Sequence, residues 1–106
     1  SADWFAVSKV KDGTLTTDWG PSVYFEYSYT STTGDIKYNE GGTVYDTGVD
    51  WTNDTWYKFV LRLDDANSKY YLWIYDLDGN LLYANTTGIG YRNAITGVRY
   101  IESWYN

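Results

Sequence analysis

No window of this chain places apolar residues at i, i+3, i+4 and i+7, so a helix built from it would have no face to bury. Apolar residues alternate instead, within the short runs "WFAVSKV", "SVYFEYSYT", "DIKYNE", "TVYDTGV", "TWYKFVLRL", "KYYLWIYD", "NLLYANT" and "ITGVRYIESWY". Between them stand "KDGT", "STTGD", "NEGG", "DDANS", "DLDGN" and "TTGIG", whose Gly, Asp, Asn and Ser turn a chain. Period-two alternation buries one side of a strand and wets the other. The pattern predicts an all-β chain of about eight or nine short strands, folded as an antiparallel β-sandwich of the jelly-roll kind. Its 106 residues suit one domain, 1–106, with a two-layer core.

The stretch "KYYLWIYDLDGNLLY" sets the register of that sandwich. Asp78-Gly79 predicts a two-residue hairpin loop, because a type I′ turn needs positive φ at both central positions. Such a turn pairs Leu77 with Asn80, Tyr75 with Leu82 and Trp73 with Ala84. Upstream, the "DDANSK" loop sets Leu61 opposite Leu72 and Val60 opposite Trp73. Two faces result. Tyr57, Phe59, Leu61, Leu63, Tyr70, Leu72, Ile74, Leu81 and Tyr83 form the continuous apolar one, expected to be core. Lys58, Val60, Arg62, Tyr71, Trp73, Tyr75, Leu82, Ala84 and Thr86 form the other, three rings in a row beside two cations. That second face reads as a sheet stiffened by cation–π and cross-strand contacts, as an aromatic platform for a ligand, or as a surface buried under a loop or a neighbouring subunit.

Composition narrows the partners. Thirteen Tyr and six Trp in an aromatic fraction of 21% exceed what so small a core needs, so several rings must be wet or meet a partner. A net charge of −6 with only eight Lys and Arg, scattered, disfavours nucleic acid and anionic membranes, which need clustered cations. No apolar run approaches the roughly 20 residues that span a bilayer, so no membrane insertion is expected. Cysteine is absent, which removes disulfides and thiolate metal sites. Thr, Tyr, Gly and Asn richness, with the sequons at Asn53 and Asn85, points to an extracellular, secreted or surface-displayed protein that accepts N-glycans. The missing Met and the opening "SADWF" suggest a processed or excised piece of a longer protein.

The run "TWYKFVLRLDDANSKYYLWIYDLDGNLLYANTTG" resembles the back half of concanavalin-like and laminin-G-like jelly rolls, and "ITGVRYIESW" resembles their closing strand. The resemblance covers about half the chain. It implies a lectin-like sandwich whose concave sheet or rim loops meet glycans.

Carbohydrate recognition suits these residues, since sugar C–H faces stack on rings while hydroxyls need polar partners. The candidates are Tyr71, Trp73 and Tyr75 as platform, with Arg62 and Glu26 as orienters. Glu26 enters because Tyr24, Glu26 and Ser28 alternate away from Val23, Phe25 and Tyr27. Trp19 and Trp51, in polar surroundings, are candidates for a rim site, whereas Trp56 opens an apolar strand and is expected in the core. Asp76, Asp78 and Asn80 stand at i, i+2 and i+4, as at the start of a Ca²⁺ loop, but Thr87 occupies the place of the closing glutamate. A bare hairpin explains Asp-Gly equally, so a structural Ca²⁺ there, or at Asp64 and Asp65, stays open; no other cofactor is expected.

Catalysis has little to work with. No His or Cys is present, which excludes the usual nucleophile–base pairs. The sandwich glucanases within the resembled fold use Glu-x-Asp-x-x-Glu, and Glu26, Glu40 and Glu102 stand alone. The leading expectation is therefore a non-catalytic lectin-like module that binds polysaccharide or glycan. The alternative is a structural subunit whose partners are copies of itself, in an extracellular filament or surface layer. An adhesion domain for protein ligands comes third.

Overall fold

The structure, a computed structural model, describes residues 2–27 and 31–104, with the backbone alone described at Trp104. Ser28, assigned above to an outward face, lies outside the described residues. Among the described residues eight strands follow one another: β1 (Ala2–Ser8), β2 (Trp19–Glu26), β3 (Thr33–Glu40), β4 (Thr43–Thr52), β5 (Tyr57–Asp64), β6 (Lys69–Asp76), β7 (Leu81–Gly90) and β8 (Tyr100–Trp104). The only helical element among the described residues is a 3-10 turn, Asp65–Asn67, between β5 and β6. Each strand overlaps a run that alternation marked out, and β1 to β5 and β7 extend beyond theirs.

The strands form two antiparallel sheets, ordered β4-β3-β2-β1-β8 and β5-β6-β7. The sandwich expectation holds. Within it the winding is a meander, with consecutive strands adjacent or passing from one sheet to the other, whereas a jelly roll winds its strands as two Greek keys. Val23 and Ile36 from the larger sheet meet Tyr70, Leu72, Ile74 and Ile89 from the smaller one, all fully buried. Phe59 on β5 makes edge-to-face contacts with Phe5 at 5.4 Å and Phe25 at 5.3 Å, closing that side of the core.

Tyr70 puts a polar group into this core. Its hydroxyl donates to the Asn39 carbonyl of the opposite sheet at 2.8 Å, and burial pushes its ionisation well above the ordinary value. A buried hydroxyl without such a partner would cost about 1–3 kcal/mol, so the bond also fixes where the sheets meet.

The register between β5 and β6 is as alternation predicted, Leu61 facing Leu72 and Val60 facing Trp73. The β6–β7 turn is not. Gly79 N–H donates to the Asp76 carbonyl and Asp76 N–H to the Asn80 carbonyl, and only Gly79 in this turn has positive φ, at 86°. That is a three-residue loop, a type I turn followed by a glycine bulge. Trp73 still pairs with Ala84, but Tyr75 pairs with Leu81, and Leu81 moves to the outer side, 54% exposed rather than core. The I′-type loop lies elsewhere, at Gly41 (φ 59°) and Gly42 (φ 94°), between the paired Glu40 and Thr43. Trp56 is a second correction: it precedes β5 and is 76% exposed, because strand alternation begins only at Tyr57.

After β7 the chain crosses back to the larger sheet through residues 91–99, and Asp65 ties this crossing down. Its carboxylate accepts from Gly97 N–H at 2.6 Å, the Tyr91 hydroxyl at 3.0 Å and Val98 N–H at 3.3 Å. The Gly97 N–H, foremost, holds the Asp65 carboxyl below its ordinary value.

Two outcomes follow from these contacts. Gly79→Ala should lower stability by about 1–2 kcal/mol, since an L-residue is strained at positive φ, while Asp78→Ala stays within about 0.5 kcal/mol. Equal losses in urea melts would restore the type I′ turn. For Asp65, a folded pKa below the unfolded one means its stabilisation is complete above about pH 4 and fades as pH falls through the folded value. Asp65→Asn should therefore melt below the parent at pH 7, with the gap narrowing in acid; a gap that widens in acid reverses the sign.

Candidate functional site

The smaller sheet turns one face inward and leaves the other uncovered. On its outer side β5 contributes Lys58, Val60 and Arg62, and β6 contributes Tyr71, Trp73 and Tyr75 in successive outward positions. The three candidate rings are thus neighbours on one surface, each half-buried. Their environments differ. The Arg62 guanidinium lies 4.4 Å from the Tyr71 ring centre and the Lys58 ammonium 5.9 Å from that of Tyr75. Both tyrosines are therefore already engaged by cations, a contact of about 0.5–1 kcal/mol at an exposed site. Trp73, between them, faces Val60 on one side and Ala84 on the other, both exposed. The result is an apolar strip across the sheet, flanked along the strands by the Arg62–Tyr71 pair on one side and the Lys58–Tyr75 pair on the other.

Thr86, expected beside Tyr71, lies in an irregular stretch of β7. Three residues, 86–88, oppose Tyr71 alone, between the pairs Tyr70–Ile89 and Leu72–Asn85. A Cβ at Gly88 would meet the Tyr71 ring at an ordinary 3.7 Å, and what calls for glycine there is its φ of 101°.

The remaining candidates lie elsewhere. Glu26 sits on β2 of the other sheet, paired with the Lys37 ammonium at 2.6 Å, and does not join the ring platform. Trp19 is 4% exposed at the start of β2 rather than in a polar loop. Trp51 lies within β4, packs against the core and donates its indole N–H to the Glu26 carbonyl at 2.8 Å. Its ring lies directly over Gly34, where a side chain would collide with it.

At the β6–β7 turn the oxygen-bearing residues bind one another. The two Asp76 carboxylate oxygens accept from the Asn80 backbone N–H at 2.8 Å and its amide at 3.0 Å, and the amide foremost holds the Asp76 carboxyl below its ordinary value. Asp64 accepts from the Asn67 amide at 2.9 Å, and Asp65 is the tie of the 91–99 crossing. Among the described residues no three acidic side chains gather as a metal cage would require. The sequons differ too: Asn53 is exposed in the β4–β5 loop, whereas Asn85 is half-buried opposite Leu72 and accepts from Thr87.

Alternation could have singled out one more residue. Phe5 packs against the core from β1, which turns its neighbour Trp4 outward beside Tyr24. "WFAVSKV" carries that signal.

Comparison with protein-family models, with curated proteins and with solved structures returns no match. Among the described residues no helix is long and apolar enough to cross a membrane.

If the guanidinium stacks as placed, Arg62→Ala should lose about 0.5–1 kcal/mol. Lys58→Ala should lose less, its ammonium standing farther from its ring. Urea denaturation at low salt measures both, and an Arg62 variant as stable as the parent removes the stack.

Proposed function

We propose that this chain is a non-catalytic, lectin-like module of an extracellular protein that binds polysaccharide or glycan. One observation carries the reading: Val60, Trp73 and Ala84 form an uncovered apolar strip on a rigid sheet, bounded by the cations Arg62 and Lys58. A sugar ring laid on Trp73 presents C–H groups to the indole and hydroxyls to the flanking cations, matching both parts of the surface. The sheet holds the indole in place before binding, which cuts the ordering cost, although a shallow surface gains little per sugar. The resemblance to concanavalin-like and laminin-G-like domains supports the same reading. The absence of His and Cys, with Glu26 engaged by Lys37, supports a binding role without catalysis.

Titration with soluble glucans, xylans and mannans should quench tryptophan fluorescence for at least one polymer, with weak affinity for a single site. Trp73→Ala should abolish the response while costing little stability. If a polymer binds the variant as well as the parent, the platform is not the site.

A second reading, a self-assembling structural subunit, draws on different features. Strands β4 and β8 are the open edges of the larger sheet, and Ile101 on β8 is 82% exposed. Light scattering that shows polymers growing with concentration, together with no response to any polysaccharide, would put this reading first.

A further inference from the structure

The outer face of the larger sheet carries a cleft that the platform reading does not use. Trp4 projects there from β1, fixed by edge-to-face contacts with Trp19 at 5.4 Å and Tyr24 at 4.5 Å. The loop between β1 and β2 could have collapsed onto this half-buried indole, but it is tied away from it. Glu102 on β8 accepts from Gly13 N–H at 2.9 Å and from the Trp19 indole N–H at 3.2 Å, and the same indole N–H reaches the Gly13 carbonyl. Farther along, the Leu15 carbonyl accepts from Arg92 and from the Asn93 amide, both at 3.0 Å. Within the loop the Asp18 carboxylate accepts from Thr14 N–H at 2.8 Å. The loop is thus a braced wall, and between it and the sheet lies a cleft of about 460 Å³ lined by Trp4, Trp19, Leu15, Asp12, Gly13 and Thr14. That volume falls within the roughly 300–1,000 Å³ of small-ligand sites.

The lining selects the ligand. Two indoles and Leu15 make apolar walls, so the occupant presents an apolar face. Glu102 and Asp18 are engaged by donors of the loop and of Trp19, while the exposed Asp12 carboxylate makes no hydrogen bond or ion pair among the described residues. A wholly apolar guest would strip water from Asp12 without replacing it, at a cost. An anionic guest would meet the Asp12 carboxylate, with the Asp18 and Glu102 carboxylates in the bracing of the same loop. A neutral sugar ring meets both demands, with C–H groups for the walls and hydroxyls for Asp12. Trp4 also borders a second cleft of about 290 Å³ that contains Tyr24, Lys37 and Arg92, so a chain of sugars crossing Trp4 would enter both.

We propose that this cleft is a second glycan subsite, which takes one neutral pyranose against Trp4 and continues past it into the adjoining cleft. The proposal rests on the glycan reading, but names a different surface from Trp73. Its test follows the indole N–H signals of the six tryptophans by nitrogen–proton NMR. Cellohexaose, xylohexaose and mannohexaose serve as neutral probes, and hexagalacturonate as the anionic one. At least one neutral hexasaccharide should shift the Trp4 and Trp19 signals, with hexagalacturonate leaving them in place. Trp4→Ala should weaken that binding about tenfold. Because Trp4→Ala also removes two ring contacts, Asp12→Asn provides an independent check. Asp12 has a φ of 55°, which Asn tolerates, so the loop is kept and the variant should weaken binding about threefold. Shifts at Trp73 alone would overturn the cleft and keep the glycan reading; shifts at no tryptophan would overturn both. A response to hexagalacturonate equal to the neutral one, or full affinity in Asp12→Asn, would overturn the proposed ligand class.

Discussion

The contact between Tyr70 and the Asn39 carbonyl joins the two sheets through a polar bond inside an apolar core. Hydrophobic burial alone is non-directional, and two sheets can slide over one another at little cost in buried area. A buried hydroxyl has few acceptable partners, so this bond selects one alignment among many. Asn39 extends the constraint to the opposite surface: its amide donates to the Tyr24 hydroxyl, which also receives Arg92. One polar path therefore runs from the core of the sandwich to the floor of the Trp4 side.

The same alignment leaves two ring-bearing faces pointing away from each other. A sandwich of this size has only its inner surfaces to offer as core, and Val23, Ile36, Leu72, Ile74 and Ile89 already fill them. Rings placed at alternate positions must then face outward, and each face accommodates them differently. On the smaller sheet cations stack on the outer tyrosines and leave Trp73 in the centre. On the larger sheet a braced loop and the Arg92 side chain surround Trp4. The first surface is flat and open, the second concave, so the two suit different lengths of contact with a polymer.

Placement of the strands was legible because period two needs no knowledge of the partner strand. The β5–β6 register was equally legible, since a one-residue slip would have sent Leu61 and Leu72 to the wet side. Where local signals failed, a longer-range term decided. Asp78-Gly79 fits a type I′ loop and a type I turn with a bulge alike, and the Asp76–Asn80 bonds favoured the second, turning Leu81 outward. Trp19 has polar neighbours in sequence, but Gly13 and Glu102 come to it from a loop and a distant strand.

What the residue order determined by itself was therefore everything that depends on alternation and turn chemistry: the all-β class, the strand positions, the division of β5 and β6 into a core side and a ring-bearing side. The tertiary structure alone decided which outward rings share a surface. Glu26 and Trp73 are both outward-facing by alternation, yet they lie on different sheets, because sheet membership depends on where the chain crosses over, after β4 and after β7. The Trp4 cleft lay beyond local reading for the same reason. Its walls come from β1, β2 and the loop between them, its braces from Arg92, Asn93 and Glu102, and only the packed sheets bring residues so far apart within hydrogen-bonding distance.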